Sequence, residues 1–163
     1  MLRFQLPLLA VRDIEVSKSF YSRLFDQNVV LDLGKNVTLS GGFALQEDFA
    51  WLTGLEAGSG ISRSHNMELY FETDDFDGFL KKLASCPGVE LVHPPMTHDW
   101  HQQVVRIYDP DGHMIEIGEA MDTVARRFMD LGHSIEETAG LIQHPVEFVA
   151  AASRKENPIK TKK

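Results

Sequence analysis

The stretch that offers the most chemistry is the segment at residues 106–119, RIYDPDGHMIEIGE. Residues 109–112, Asp-Pro-Asp-Gly, predict a tight turn between two short strands, because proline fixes φ and glycine accepts positive φ. In the second strand Glu116 lies between Ile115 and Ile117, so alternation directs its carboxylate away from the face that the two isoleucines share. Glu116 therefore faces either solvent or a pocket.

Three further polar side chains could join Glu116 on one sheet face. Glu68 and Tyr70 alternate with apolar neighbours in MELYFET, and Arg106 alternates with valine and isoleucine in VVRIY. A guanidinium between Glu68 and Glu116 would supply the counter-charge that two close carboxylates need in order to ionise together. The alternative is a solvated sheet face with ordinary ion pairs, which contribute little.

An aromatic loop is a second candidate region. The segment HPPMTHDWHQQ, residues 93–103, holds three histidines, a tryptophan and a rigid proline pair. One interpretation makes Trp100 and His101 the rim or lid of a ligand site, with a stacking surface and a group that titrates near neutral pH. The other makes Trp100 an anchor for a dimer interface or a sheet edge.

The elements that must position these groups occur in the order β-α-β-β-β, twice. The first helix has apolar spacing over residues 14–25 and Asp13 as its predicted N-cap, and Asp74 or Asp75 caps the second helix. The two modules cover about residues 4–50 and 64–119, within a domain at 1–120. The predicted strands are 5–11, 29–33, 37–39, 43–46, 65–72, 89–92, 103–108 and 113–118, with a Gly- and Ser-rich loop at 53–64.

The remaining chain differs in kind. Residues 121–153 predict a helical extension, in which Gly132 ends one helix and Ser134 with Glu137 forms a capping box for the next. Residues 154–163 are rich in lysine and predict a basic flexible tail.

The element order, together with LLAVRDIEVSKSFYSRLF, MELYFETDDFDGFLKKL and RIYDPDGHMIEIGE, resembles the vicinal oxygen chelate superfamily. That superfamily includes glyoxalase I, extradiol dioxygenases, fosfomycin-modifying transferases and bleomycin-resistance proteins. The resemblance covers residues 4–119 and implies an α+β fold. Two βαβββ modules would form a half-open eight-strand cup, usually completed in a homodimer.

The resemblance also carries over site positions. Glu116 matches the final-strand glutamate that faces the cup, and Glu68 stands where many members place a histidine. The corresponding first-module positions fall on Leu6 and Leu45, both apolar, unless a one-residue slip brings Gln5 or Gln46 inward instead. A divalent ion generally wants three or more oxygen or nitrogen ligands, so no metal or other cofactor is expected. If a divalent metal is bound, Glu68 and Glu116 would hold it.

Two functions of different classes follow from the resemblance. The first is a glyoxalase-like enzyme acting on a small oxygenated substrate, with Glu116 or Glu68 as acid-base group and Arg106 as electrophilic stabiliser. Tyr70, Trp100 and His101 would bind the ligand. The second is a metal-free small-molecule binding protein of the bleomycin-resistance type. The apolar residues at the first-module ligand positions favour the binding protein. The carboxylates retained at Glu68 and Glu116 favour the enzyme.

Composition limits the classes of partner and the location that we expect. The formal charge of −8 argues against nonspecific nucleic-acid binding, and no apolar run is long enough to span a bilayer. The N-terminal residues lack the pattern of an export signal, so a cytoplasmic location is expected. Cys86 is the single cysteine, which excludes an intramolecular disulfide. The expected partners are a small-molecule ligand and a second copy of the chain.

Overall fold

The first βαβββ segment forms a four-stranded sheet with strand order β1-β4-β3-β2, seen in a computed structural model that describes residues 1–154. Strands β1 and β4 run parallel, and the other neighbours pair antiparallel. A short helix, α2, follows β4; the sequence did not predict it, and it ends where the predicted loop at 53–64 begins. The elements are β1 (Leu8–Ala10), α1 (Ile14–Phe25), β2 (Val29–Asp32), β3 (Asn36–Leu39), β4 (Phe43–Gln46) and α2 (Phe49–Thr53).

Helix α1 has the bounds that its apolar spacing predicts. The Asp13 carboxylate accepts hydrogen bonds from the amides of Glu15 and Val16, each at 2.9 Å, and so caps the helix as expected. The buried side of α1 packs on the sheet, where the Tyr21 and Phe43 rings meet edge-on with centroids 5.1 Å apart. This contact fixes which face of the first sheet is core.

The second segment forms another four-stranded sheet, with order β5-β8-β7-β6. Its elements are β5 (Glu68–Thr73), α3 (Phe76–Ala84), β6 (Leu91–Thr97), β7 (Gln103–Tyr108) and β8 (Met114–Glu119). Asp75, rather than Asp74, caps α3 by accepting from the amide of Gly78. Neither sheet closes into a barrel, and the α+β class predicted from the sequence is confirmed.

Three strand predictions are wrong at their ends, and one of them is β5, which starts at Glu68 rather than residue 65. Strand β1 starts at Leu8, not residue 5, and β6 extends to Thr97 through a proline pair that we expected to open a loop. Proline lacks an amide hydrogen, but β6 is an edge strand and tolerates it. The pairing of β6 with β7 accordingly shifts register twice.

The C-terminal extension is helical, as predicted. It comprises α4 (Met121–Asp130), α5 (Ile135–Ile142) and α6 (Val146–Ala152). The capping box is present at the start of α5: Ser134 accepts from the amide of Glu137, and the Glu137 carboxylate accepts from the amide of Ser134. The predicted tail at 154–163 falls, apart from Arg154, outside the described residues.

Contacts divide the chain into two compact units. Unit 1 comprises residues 1–69, 86–90 and 108–114, and unit 2 comprises 70–85, 91–107 and the chain from residue 115 onward. The hairpin turn after β7 therefore packs in unit 1. Among the described residues, no helix has the length and apolar character needed to cross a bilayer.

Candidate functional site

An ion pair lies at the centre of the candidate site in unit 2. Arg106 of β7 and Glu116 of β8 pair across adjacent strands, and their side chains are 19% and 7% exposed. Ile115 and Ile117 are fully buried on the opposite side of β8. Glu116 therefore does not face bulk solvent. Removing two charges from water is costly, so a pair in this position is not explained by stability alone.

Tyr70 shares this side of the sheet. A Cβ built on Gly118 would lie 3.0 Å from the Tyr70 hydroxyl, and Gly118 follows Glu116 by two residues on β8. Since alternation places residues 116 and 118 on the same side, Tyr70, Arg106 and Glu116 face one way. We call this side of the second sheet the polar face.

Gln102 organises the hydroxyl of Tyr70. Its Nε2 donates to the Tyr70 oxygen at 2.7 Å and to the carbonyl of Glu119 at 2.9 Å. Its Oε1 accepts from Nε1 of Trp100 at 2.9 Å. Tyr70 in turn donates to the Glu72 carboxylate at 2.9 Å. The amide of buried Gln102 is thus satisfied on both sides, and the hydroxyl has a defined orientation.

This environment keeps the phenol neutral. Burial raises the pKa of Tyr70 to about 12; the bond donated by Gln102 opposes the rise, and the nearby Glu72 carboxylate adds to it. Tyr70 is nevertheless half exposed. It can therefore offer a ligand an aromatic surface and a neutral hydroxyl group, but not a phenolate at physiological pH.

Trp100 and His101 are held by the C-terminal helices. Trp100 stacks on His98 with ring centroids 4.1 Å apart and packs against the helical cluster. His101 adopts a left-handed φ of 65° and places its ring 4.9 Å from that of Phe128. The loop is therefore anchored to α4, whichever role its aromatic groups have toward a ligand.

Arg127 of α4 makes that anchor. Its guanidinium donates to both Glu119 carboxylate oxygens, at 2.7 and 2.9 Å, and to the carbonyl of His101 at 2.8 Å. The Glu119 side chain is buried, so water competes little for its carboxylate. Sequence reasoning missed Gln102, Gly118, Glu119 and Arg127, because each acquires its role from a partner on a different element.

Glu68 is the first residue of β5 and is exposed. It precedes Tyr70 by two residues and so points to the same side of that strand. By contacts it belongs to unit 1, whereas Tyr70, Arg106 and Glu116 belong to unit 2. Its acid-base role stays a prediction.

In the first sheet, the register predicted for Leu45 is wrong. Leu45 is fully buried, pairs with Leu9 and Val37, and lies on the side of β4 that packs on α1 with Phe43. Gln46 points the other way, as the one-residue slip would require. Its amide accepts from Asn36 at 2.8 Å and donates to the carbonyl of Glu47.

The N-terminal positions are less constrained. Leu6 is partly buried and precedes β1, as does exposed Gln5, so neither is held in the sheet. The first sheet therefore directs the Gln46 amide, rather than the Leu45 side chain, to the side of β4 away from α1.

The donor set does not fit a tightly held transition metal. Within residues 1–154, no group of three or more His, Cys, Asp or Glu side chains could hold a metal ion. Of the two carboxylates carried over from the resemblance, Glu116 already pairs with Arg106. A metal would have to displace this internal cation and find further ligands.

Unit 1 contains a separate cavity of about 1010 Å³. Helix α1 and the segments 60–67, 87–90 and 108–114 contribute its walls, and none of the predicted site residues lines it. Its charges are largely matched internally, since Arg12 pairs with Asp111 and Arg63 with Glu90. The polar face holds residues predicted from the sequence and the cavity holds none of them, so the polar face is the candidate site.

Comparison with known proteins agrees with this architecture. Residues 4–122 match the family described as glyoxalase-like domain. No curated protein matches the chain. A solved structure from Agrobacterium tumefaciens str. C58, a protein of unknown function, is 40% identical with a TM-score of 0.63; the match covers 74% of this chain and 95% of that one.

Two further solved structures have lower identity. A glyoxalase/bleomycin resistance protein/dioxygenase family enzyme from Burkholderia phytofirmans PsJN is 18% identical, with a TM-score of 0.61 and coverage of 71% and 96% of the two chains. A glyoxalase-related enzyme from Fulvimarina pelagi is 22% identical, with a TM-score of 0.59 and coverage of 74% and 90%. At these identities the likeness concerns the fold.

Proposed function

Since the chain belongs to the glyoxalase-like domain family, in the vicinal oxygen chelate superfamily, we propose that it is an enzyme acting on a small oxygenated substrate. The observation that carries the proposal is the buried Arg106–Glu116 pair on the polar face, beside half-exposed Tyr70. A base and a fixed cation stand together there. That combination suits removal of a proton next to a carbonyl group.

The proposed step uses this chain's own groups. A substrate carbonyl oxygen accepts a hydrogen bond from Arg106, which loosens the ion pair, and Glu116 then takes the proton from the adjacent carbon. The negative charge moves to the carbonyl oxygen, where Arg106 stabilises the enolate, and Glu116 returns the proton to complete the cycle. Glu68 is the second acid-base candidate. Tyr70, Trp100 and His101 are the proposed ligand-binding groups.

The proposal is metal-independent. In relatives that use a metal, the ion polarises the substrate oxygen. Here the donor set does not fit such an ion, and the Arg106 guanidinium offers the positive charge instead.

Hydrogen exchange at carbon tests the chemistry without knowledge of the natural substrate. A panel of small α-hydroxycarbonyl and dicarbonyl compounds in D₂O is followed by NMR with the wild-type protein, Glu116→Gln and Arg106→Lys. Wild type should speed deuterium incorporation into at least one compound, and Glu116→Gln should lower that rate by about 10²- to 10⁴-fold. If no compound exchanges faster than in buffer, or if Glu116→Gln exchanges as wild type, proton abstraction by Glu116 is wrong.

A second function is a metal-free binding protein of the bleomycin-resistance type. It is favoured by the fact that Glu116 is already engaged by Arg106, which weakens it as a base until a ligand intervenes. The net charge of −8 would then attract a cationic or aromatic molecule. Compounds that shift the NMR signals of the polar face without isotope exchange would support binding over catalysis.

We also propose that the protein acts as a homodimer. Apolar side chains are exposed at the edge strand β2 and beyond it in unit 1, among them Val30 and Leu33, each at 67% exposure. An unpaired apolar edge of this kind is commonly covered by a partner. Light scattering at micromolar concentration should give twice the mass of 18.4 kDa, and the monomer mass would refute the proposal.

A further inference from the structure

Arg127 connects the C-terminal extension to the polar face through hydrogen bonds to Glu119 and His101, the residues on either side of the Gln102 side chain. The guanidinium holds Glu119 and the carbonyl of His101, as described above. Residue 102 follows directly, and its side chain bonds both the backbone carbonyl of Glu119 and the hydroxyl of Tyr70. Arg127 therefore binds both the end of β8 at Glu119 and the loop at His101, and the side chain of Gln102 lies between these two segments.

The backbone conformation of the loop shows why it needs stabilisation by Arg127. The amide of His101 donates to the carbonyl of His98 at 2.8 Å, and the amide of His98 donates to the carbonyl of Gln102 at 2.9 Å. This tight turn requires the left-handed φ of 65° at His101, which is unfavourable for a residue with a Cβ. The bond from Arg127 to the His101 carbonyl stabilises the turn at that residue.

The space around Gln102 allows little alternative placement. A Cβ on Gly118 would lie 2.5 Å from Gln102 Nε2 and 3.0 Å from the Tyr70 hydroxyl. Gly118 thus lets the amide approach β8 closely, and a shift of the loop would break the contact with Tyr70. Trp100 Nε1 closes the arrangement from the other side by donating to Gln102 Oε1.

Arg127 lies beyond the family domain, whose match ends at residue 122. We propose that Arg127 is a positioning residue, which acts through Glu119 and the 98–102 turn to hold Gln102 against Tyr70, so that the helical extension shapes the ligand-binding side of the polar face. The inference rests on the proposed function for its ligand, but the arrangement itself is tested in the ligand-free protein.

The test compares Arg127→Met with Arg126→Met. Arg126 lies on the same helix, and its polar contacts to Asp122 at 3.2 Å and Thr123 at 2.9 Å lie within α4, so its loss removes an equal charge without removing a bond to the turn. Two signals are followed by NMR: the side-chain amide of Gln102, assigned from its absence in Gln102→Met, and hydrogen exchange of the His98 and His101 amides.

Arg127→Met should move the Gln102 amide signal toward that of an exposed glutamine and speed exchange in the turn by about tenfold. Arg127→Lys should restore part of both signals, and Arg126→Met should leave them as in wild type. If Arg127→Met fails to fold, Glu119→Gln is the second variant, with the same expected direction. The proposal is overturned if the signals stay as in wild type, or if Arg126→Met changes them equally.

The separate isotope-exchange assay distinguishes the two claims. A protein that lacks exchange activity but shows these NMR changes would refute the proposed chemistry and retain the positioning role. A protein that has activity, but in which Arg127→Met alters neither the Gln102 signal nor the rate, would refute the positioning role and retain the chemistry.

Discussion

The two units treat a buried carboxylate in different ways. In unit 1, Asp109 accepts from the Tyr21 hydroxyl at 2.9 Å, from His113 Nδ1 at 2.8 Å, and from the backbone amides of Asp111 and His113. In unit 2, Glu116 has Arg106 as its ion-pair partner and lies on the same side as half-exposed Tyr70. Asp109 is saturated by several hydrogen bonds, whereas Glu116 is held by an ion pair with Arg106.

Within the segment at residues 106–119, this difference separates a carboxylate with a structural role from one with a proposed chemical role. The Asp-Pro-Asp-Gly turn is the most specific element of the sequence, yet its first aspartate joins the turn to α1 and makes a structural contact. Glu116, a few residues later, has a more ordinary sequence context and carries the chemical hypothesis. A saturated acceptor cannot receive a proton without loss of a bond, and an ion-paired one can exchange partners.

The largest effect that would test this contrast is on stability. Arg106→Met should destabilise the fold by about 3–5 kcal/mol, because it leaves Glu116 buried without its counter-charge. The double variant Arg106→Met/Glu116→Leu should recover much of that loss. Urea unfolding measures both. Lys35→Met, which removes an exposed pair with Asp48 in unit 1, is the control and should change stability little. A small effect of Arg106→Met would mean that Glu116 is solvated.

A somewhat smaller effect on stability tests the register of β4 in unit 1. Leu45→Ala should cost about 2–5 kcal/mol, because the side chain is fully buried against α1 and its removal leaves a cavity. Gln46→Ala should cost less, about 1 kcal/mol, through loss of its hydrogen bonds. Urea unfolding measures both free energies of unfolding. A larger loss for Gln46→Ala than for Leu45→Ala would contradict the register of β4.

Local signals sufficed for much of the fold. Helix α1 was predicted correctly because Asp13 and the apolar spacing act within a few residues, and the same holds for the Ser134–Glu137 capping box. The side of β4 on which Leu45 lies was not predicted correctly, because the pairing of Leu45 with Leu9 on a distant strand decides it. Strand β6 runs through two prolines because it is an edge strand, a position that local sequence does not reveal.

The candidate site was predictable only in part. Strand alternation and the resemblance identified Arg106 and Glu116, which the structure brings together. Arg127 carried no such signal, because its partners lie eight and 26 residues away and belong to a strand end and a loop. Gly118 likewise has meaning only through the close approach of Gln102.

The smallest expected effect is the pH dependence of the Asp109–His113 pair in unit 1. Burial opposes the charge on His113, but hydrogen bonding and attraction to Asp109 outweigh it and raise the pKa of His113. Burial likewise opposes the charge on Asp109, and the bonds and charge of His113 lower the pKa of Asp109. The His113 contribution is complete below its ordinary value of 6.5 and is lost as pH rises through the raised value.

The Asp109 contribution is present above its ordinary value of 3.8 and is lost as pH falls through the lowered one. The stability advantage of wild type over His113→Asn should therefore be largest between pH 3.8 and 6.5 and shrink toward pH 9. Urea unfolding across this range measures it. An advantage that grows with rising pH would contradict the assigned pair.

We propose that Arg106 supplies the positive charge that a metal ion supplies in metal-dependent members of the superfamily. Elemental analysis of the purified protein, paired with thermal unfolding before and after chelation, tests it most directly. We expect far less than one equivalent of Zn, Ni, Mn or Fe per chain and an unchanged Tm in chelator. One tightly held equivalent, with a Tm that falls on chelation and recovers on adding the metal back, would contradict it.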